Sequence, residues 1–186
     1  LHKVTIIPSG MALGVTMQLP AEDRHTYRSD YLRERLVILL GGRMAEELVF
    51  GVTSTGAGND LVQATETTKK MVREWGMSER VGPMAWGSQN QVFLGDELMS
   101  SRDYSDETAH LIDSEVQRIL TDQEARCRLL LTEHRNALDL IARSLLEHET
   151  ISGEEVGRLV SAAARPDSAD DPSLIEPSPV DPSTVK

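Results

Sequence analysis

The sequence predicts a mainly α-helical chain with a small β-element at its N-terminal side and a helical arm at its C-terminal side. Three observations carry that prediction. Two β-branched runs, Lys3 to Pro8 and Gly14 to Leu19, stand near the start and are closed by Pro8 and Pro20, the pattern of short strands. From about Thr26 to Val160 the apolar residues recur at three- and four-residue spacing, the period of amphipathic helices. Hydrophobic residues make up 39% of the 186 but aromatic residues only 4%, so aliphatic side chains and methionine must fill the core.

The two strand runs read as a pair joined by a turn around Gly10. A first helix is expected from Thr26 as N-cap through Leu32, Leu36, Leu39, Leu40 and Met44 to Leu48 and Val49. Gly41 and Gly42 fall inside it; each costs about 1 kcal/mol relative to alanine, an expense that close approach of another backbone usually explains. A second helix, about Asn59 to Trp75, gathers Leu61, Ala64, Thr68, Met71, Val72 and Trp75 on one face and stops at Gly76. Gly82, Pro83, Gly87 and Gly95 then interrupt any helix, leaving room for a short strand near Gln91 to Leu94.

Ser105 is expected to cap a long third helix with the stripe Ile112, Val116, Ile119, Cys127, Leu130 and Leu131. A fourth covers about Arg135 to Glu147, and a fifth opens with the capping box Ser152-Gly-Glu-Glu155 and packs Val156, Leu159 and Val160. These last three read as a bundle arm. Pro166 to Lys186 holds five of the eight prolines and five acids against one lysine, the composition of a disordered acidic tail.

The formal charge of −11, from 30 Asp and Glu against 19 Lys and Arg, argues against nucleic-acid binding, which needs a basic footprint. The lone Cys127 allows no internal disulfide and no cysteine-rich zinc module, and its place on an apolar stripe favours a buried thiol over a nucleophile. No run of 18 apolar residues occurs, and neither a P-loop nor a G-x-S-x-G elbow is present. Leu1 is followed by a strand-like run rather than a leader, so the chain reads as a piece of a longer one.

No two of the five histidines, His2, His25, His110, His134 and His148, stand four apart, which excludes a helical two-histidine metal site. His148-Glu149-Thr150-Ile151-Ser152 begins like H-E-x-x-H, but Ser152 takes the second histidine's place and caps a helix, so the segment straddles a break. Two acidic constellations remain. Glu46 and Glu47 follow Gly41-Gly42-Arg43, and Asp60 follows Ser54-Thr55-Gly56-Ala57-Gly58-Asn59 at the mouth of the second helix. An acid in a first turn is ordinarily a residue that stabilises the helix dipole; a glycine-rich approach also suits a ligand that must stand close to a site. On the residues alone the dipole-stabilising reading of Asp60 is the favoured one, and a single carboxylate cannot make a zinc site by itself.

Several segments in register resemble the peptidase domain of FtsH-type ATP-dependent zinc metalloproteases. They are His2-Lys3-Val4-Thr5-Ile6-Ile7-Pro8, Ala12-Leu13-Gly14-Val15-Thr16, Leu39-Leu40-Gly41-Gly42-Arg43-Met44-Ala45-Glu46-Glu47, Ser54 to Leu61, Met71 to Ser78, Phe93-Leu94-Gly95 and Tyr104 to Ala109. The resemblance runs from Leu1 to about Ala164, so residues 1–164 are expected to form a peptidase domain truncated at its N-terminal side, followed by the acidic tail over 165–186.

The resemblance implies a zinc site with two histidines and a general-base glutamate from an H-E-x-x-H helix upstream of His2, and Asp60 as the third ligand; Glu46 is the second choice as ligand, with an acid that orients a zinc histidine the favoured reading of it. The chemistry implied is attack of zinc-polarised water on a peptide carbonyl. It further implies that the strand residues Gly14, Val15, Thr16 and Met17 hold extended substrate by edge pairing, although they could equally serve only to close the sheet. Gly41 and Gly42 would let the first helix pack on the metal-bearing one, and the helical arm would pack in a homo-hexameric ring. The parent would degrade misfolded and short-lived proteins at the cytoplasmic face of a bacterial inner membrane, with ATP and Mg bound by a domain absent here and membrane contact only through missing segments. The chain alone is expected to be inactive, lacking the H-E-x-x-H residues. The other reading is a non-catalytic helical assembly module.

Overall fold

The β-branched runs near the start do form strands, shorter than the runs themselves. The computed structural model describes residues 1–8, 14–17, 26–86 and 104–164. The turn expected at Gly10, the strand expected near Gln91 to Leu94 and the acidic tail lie outside these residues. The described chain divides into two units, Leu1–Arg24 with Leu131–Lys186, and His25–Leu130.

In the first unit, β1 (Lys3–Thr5) pairs antiparallel with β2 (Val15–Met17), with Val4 opposite Thr16. A third strand that the sequence reading missed, β3 (Thr150–Ser152), pairs antiparallel with the other side of β1, Val4 opposite Ile151. The order β2-β1-β3 leaves β2 at an edge. Helices α4 (Arg135–His148) and α5 (Gly153–Ala163) cover the sheet, and Leu145, Ile151 and Leu159 form their shared core with Val4, Leu140, Ile141 and Val156 packed around it. The His148 to Ser152 segment straddles a break, as expected: Glu149 takes a left-handed backbone at φ 59° after α4, and the chain turns straight into β3. The capping box at Ser152 is half realised. Its hydroxyl accepts the Glu155 N–H at 3.1 Å, whereas the Glu155 carboxylate turns to Arg158.

The second unit is a three-helix core. Helix α1 (Ser29–Phe50) begins two residues later than expected, and Thr26 does not cap it; the N-cap is Arg28, without a side-chain cap bond. Helix α2 (Gly58–Arg73) follows a 3-10 turn at Thr55–Ala57, and α3 (Asp106–Glu133) starts after Ser105, whose hydroxyl accepts the Thr108 N–H at 3.3 Å. Leu32 and Leu36 of α1, Ala64, Met71 and Val72 of α2, and Ile112, Val116 and Ile119 of α3 bury one another, each large side chain contributing about 1.5–3 kcal/mol by leaving water. Grouping α3 with a terminal arm is therefore corrected: its first half closes the core on α1 and α2. Leu61, Trp75 and Leu130 were expected on buried stripes but are 40%, 45% and 40% exposed. A β-carbon at Gly41 or Gly42 would meet no atom within 4 Å, so the close backbone approach expected there is not made by the described residues. Among the described residues no helix is long and apolar enough to cross a membrane.

Candidate metal centre

Asp60 sits in the first turn of α2 and is half-buried. This turn favours an anionic oxygen because the unpaired N–H groups of a helix start point toward it. The approach to Asp60 is built by the sequence Ser54-Thr55-Gly56-Ala57. Ser54 adopts an extended backbone (φ −106°, ψ 175°), and its hydroxyl accepts the Gly56 N–H at 3.1 Å, which starts the 3-10 turn. That turn runs directly into α2 at Gly58.

Glu46, the second-choice ligand, faces this same turn from α1. Its Oε2 accepts the Ser54 N–H at 2.7 Å and its Oε1 the Ser54 hydroxyl at 2.9 Å. The Ser54 N–H above all, then the Ser54 hydroxyl and the nearby Arg43 guanidinium, hold the Glu46 carboxyl below the usual carboxylate range. Glu47, the next residue, points elsewhere and accepts from Arg128 of α3 at 2.9 Å. The fold thus brings Glu46 and Asp60 to two ends of one short turn. Gly14, Val15, Thr16 and Met17 belong to the other unit, the last three forming the edge strand β2 and Gly14 preceding it. A β-carbon on Gly14 would stand 2.7 Å from the Thr5 carbonyl oxygen, so glycine is what lets β2 begin against β1.

Two features escaped sequence reasoning. One is Ser54 as the partner of Glu46, eight residues away and therefore outside any helical spacing rule. The other is Glu115, a buried acid on α3 held by Arg118, which an i, i+3 count could have flagged. Of the histidines, His110 on α3 and His134 between α3 and α4 are exposed. Cys127 is buried, and that burial pushes its thiol pKa up, with a smaller push from Glu124, as befits a core residue.

The donor set can be tested against a metal directly. Among the described residues no group of three or more His, Cys, Asp and Glu stands together. Asp60 fits as one oxygen donor to zinc, and further donors would have to come from elsewhere.

Comparison with known proteins bears on this site. Residues 1–159 match the sequence profile of peptidase family M41. An ATP-dependent zinc metalloprotease FtsH of Acidimicrobium ferrooxidans is 63% identical over 163 residues, covering 88% of this chain and 25% of that protein. The proteins of the same name in Alkalihalophilus pseudofirmus and Marinobacter nauticus are 49% identical over 168 residues and 46% over 170, covering 89% and 91% of this chain and 25% and 27% of theirs. The chain therefore spans about a quarter of the length of these curated relatives. The match over residues 1–159 includes β1, β2, the Glu46 helix and the turn into Asp60, and the chain belongs to peptidase family M41.

Proposed function

We propose that this chain is the peptidase portion, residues 1–164, of a membrane-anchored, ATP-dependent zinc metalloendopeptidase, followed by an acidic tail over 165–186. In this reading it supplies Asp60 as a zinc ligand together with the helical scaffold that holds it. The observation that carries the reading is the half-buried Asp60 carboxylate, set in the first turn of α2 behind a glycine-rich turn, in a chain that matches the family over residues 1–159. Zinc, when bound, would supply the Lewis acidity that peptide hydrolysis needs. The chain's own residues hold and orient: Asp60 donates an oxygen, and Gly14, Val15, Thr16 and Met17 offer the free edge of β2 to an extended polypeptide. Backbone pairing of that kind tolerates any sequence, which suits misfolded and short-lived protein substrates. The parent is a homo-hexamer at the cytoplasmic face of a bacterial inner membrane, with ATP and Mg on a separate domain and α4 and α5 packing between subunits.

The test is made on the complete protein. Asp60→Ala should lose bound zinc and the degradation of an unfolded substrate while ATP hydrolysis persists. Full zinc and full proteolysis in that variant would refute Asp60 as a ligand, whereas a wild-type protein that neither binds zinc nor degrades the substrate would favour a non-catalytic assembly role. The 186-residue chain by itself should bind zinc weakly and cleave nothing. Stoichiometric zinc on the isolated chain, lost on Asp60→Ala, would contradict that expectation.

A further inference from the structure

Helix α2 has no side-chain cap of its own: its N-cap residue, Ala57, makes no cap bond. The helix start that carries Asp60 is therefore fixed from upstream. The nearest fixed point is Ser54, whose three polar bonds form a relay. Its N–H donates to Glu46 Oε2 at 2.7 Å, its hydroxyl donates to Glu46 Oε1 at 2.9 Å, and the same oxygen accepts the Gly56 N–H at 3.1 Å. A β-carbon on Gly56 would lie 3.2 Å from Ser54 Oγ and 3.7 Å from Glu46 Oε1, so the turn closes tightly over the carboxylate. The anchor itself is stiff. Leu36, Leu40 and Met44 bury the opposite side of α1, and Glu47 ties the same turn of the helix to Arg128 of α3.

We propose that Glu46 is a positioning residue: its carboxylate locks the Ser54–Ala57 turn and thereby sets where α2 presents the Asp60 carboxylate to a metal. This rests on the reading of Asp60 as a zinc ligand. It assigns Glu46 a role other than ligation. The carboxylate serves a serine rather than the metal, and acts on the metal through six residues of chain. Charge-assisted bonds of this kind are about twice as strong as neutral ones, and the comparable loss of a group bonded directly to a metal ligand typically costs about 10–100-fold in metal affinity.

The experiment uses the complete protein and zinc alone as the probe, with two readouts. One is zinc affinity by competition with a chromogenic chelator; the other is hydrogen exchange of peptides spanning 51–60. Glu46→Ala should speed exchange at 54–57 and weaken zinc about 10–100-fold. Ser54→Ala should act in the same direction, and the double variant should be no worse than Glu46→Ala, since both remove one relay. Asp60→Ala should abolish zinc binding with the turn still protected. Glu46→Gln, which retains an accepting oxygen, should show a smaller loss of the same kind, and serves if Glu46→Ala fails to fold.

An open turn with wild-type zinc affinity would overturn the proposal. So would zinc loss with the turn still protected, which would make Glu46 a direct ligand, or wild-type behaviour of Glu46→Gln in both readouts. Wild-type zinc affinity in Asp60→Ala would instead refute the ligand reading itself.

Discussion

Glu115 on α3 is only 1% exposed, and its carboxylate takes two hydrogen bonds from Arg118 one turn later, at 2.9 Å and 2.7 Å. Arg80 approaches the same carboxylate at 3.5 Å, and the buried Ser78 side chain also helps to lower its pKa. Ser78 in turn accepts the Val81 N–H at 3.2 Å, and Val81 belongs to the core of α1, α2 and α3. One buried acid therefore pins the loop after α2 to α3. Glu115→Gln should lower unfolding stability by about 1–3 kcal/mol, because it weakens the charge-assisted bonds made by a buried carboxylate. Arg80→Ala should cost less than about 1 kcal/mol, since that side chain is 54% exposed and its contact is long. Urea unfolding of the two variants checks the order.

The same carboxylate makes stability depend on pH. Bonds from Arg118, then Ser78, and the charges of Arg118 and Arg80 hold the Glu115 carboxyl below its ordinary value near 4.5. A group whose pKa is lower folded than unfolded contributes stability that is present above the unfolded value and lost as pH falls through the folded one. Melting temperature should thus fall as pH drops below about 4.5. The fall should be shallower in Glu115→Gln, which has no proton to take up at that site. An unchanged acid limb in the variant would assign the transition to other carboxylates.

Gly153 opens α5 against the N-terminal backbone. Its N–H donates to the His2 carbonyl at 2.8 Å, and a β-carbon there would collide with the carbonyl of Leu1. Gly153→Ala should therefore destabilise the first unit by about 1–3 kcal/mol, the usual cost of overpacking. Hydrogen exchange should quicken in β1 and the start of α5 while α1 and α2 keep their protection.

Cys127 is 3% exposed, and burial raises its thiol pKa, so both access and thiolate fraction are low. Labelling by a thiol-reactive chromogen should be slow in the native chain and complete within the mixing time in strong denaturant. Fast native labelling would mean that the second half of α3 opens readily.

Much of the helical framework was legible from periodicity, because Leu36, Met71 and Ile119 sit where a 3.6-residue repeat puts them on an inner face. The start of α1 was not: Thr26 has the chemistry of an N-cap, but the helix begins beyond Arg28 without any side-chain cap. Strand β3 escaped because three residues with one buried side chain, Ile151, carry no readable alternation; its identity comes from pairing with β1, far away in sequence. The polar face of α3 gave no sign that its first half lies against α1 and α2. At the site, Asp60 stood out only through its glycine-rich approach and the family resemblance. The role of Glu46 depended on a contact with Ser54 that no local pattern encodes.

The most direct measurement is anomalous scattering at the zinc edge from crystals of the complete protein's peptidase region. A single zinc peak about 2.0–2.2 Å from an Asp60 carboxylate oxygen, with Glu46 bound to Ser54 rather than to the metal, is the expected result. A zinc peak coordinated by Glu46, or one remote from Asp60, would contradict it.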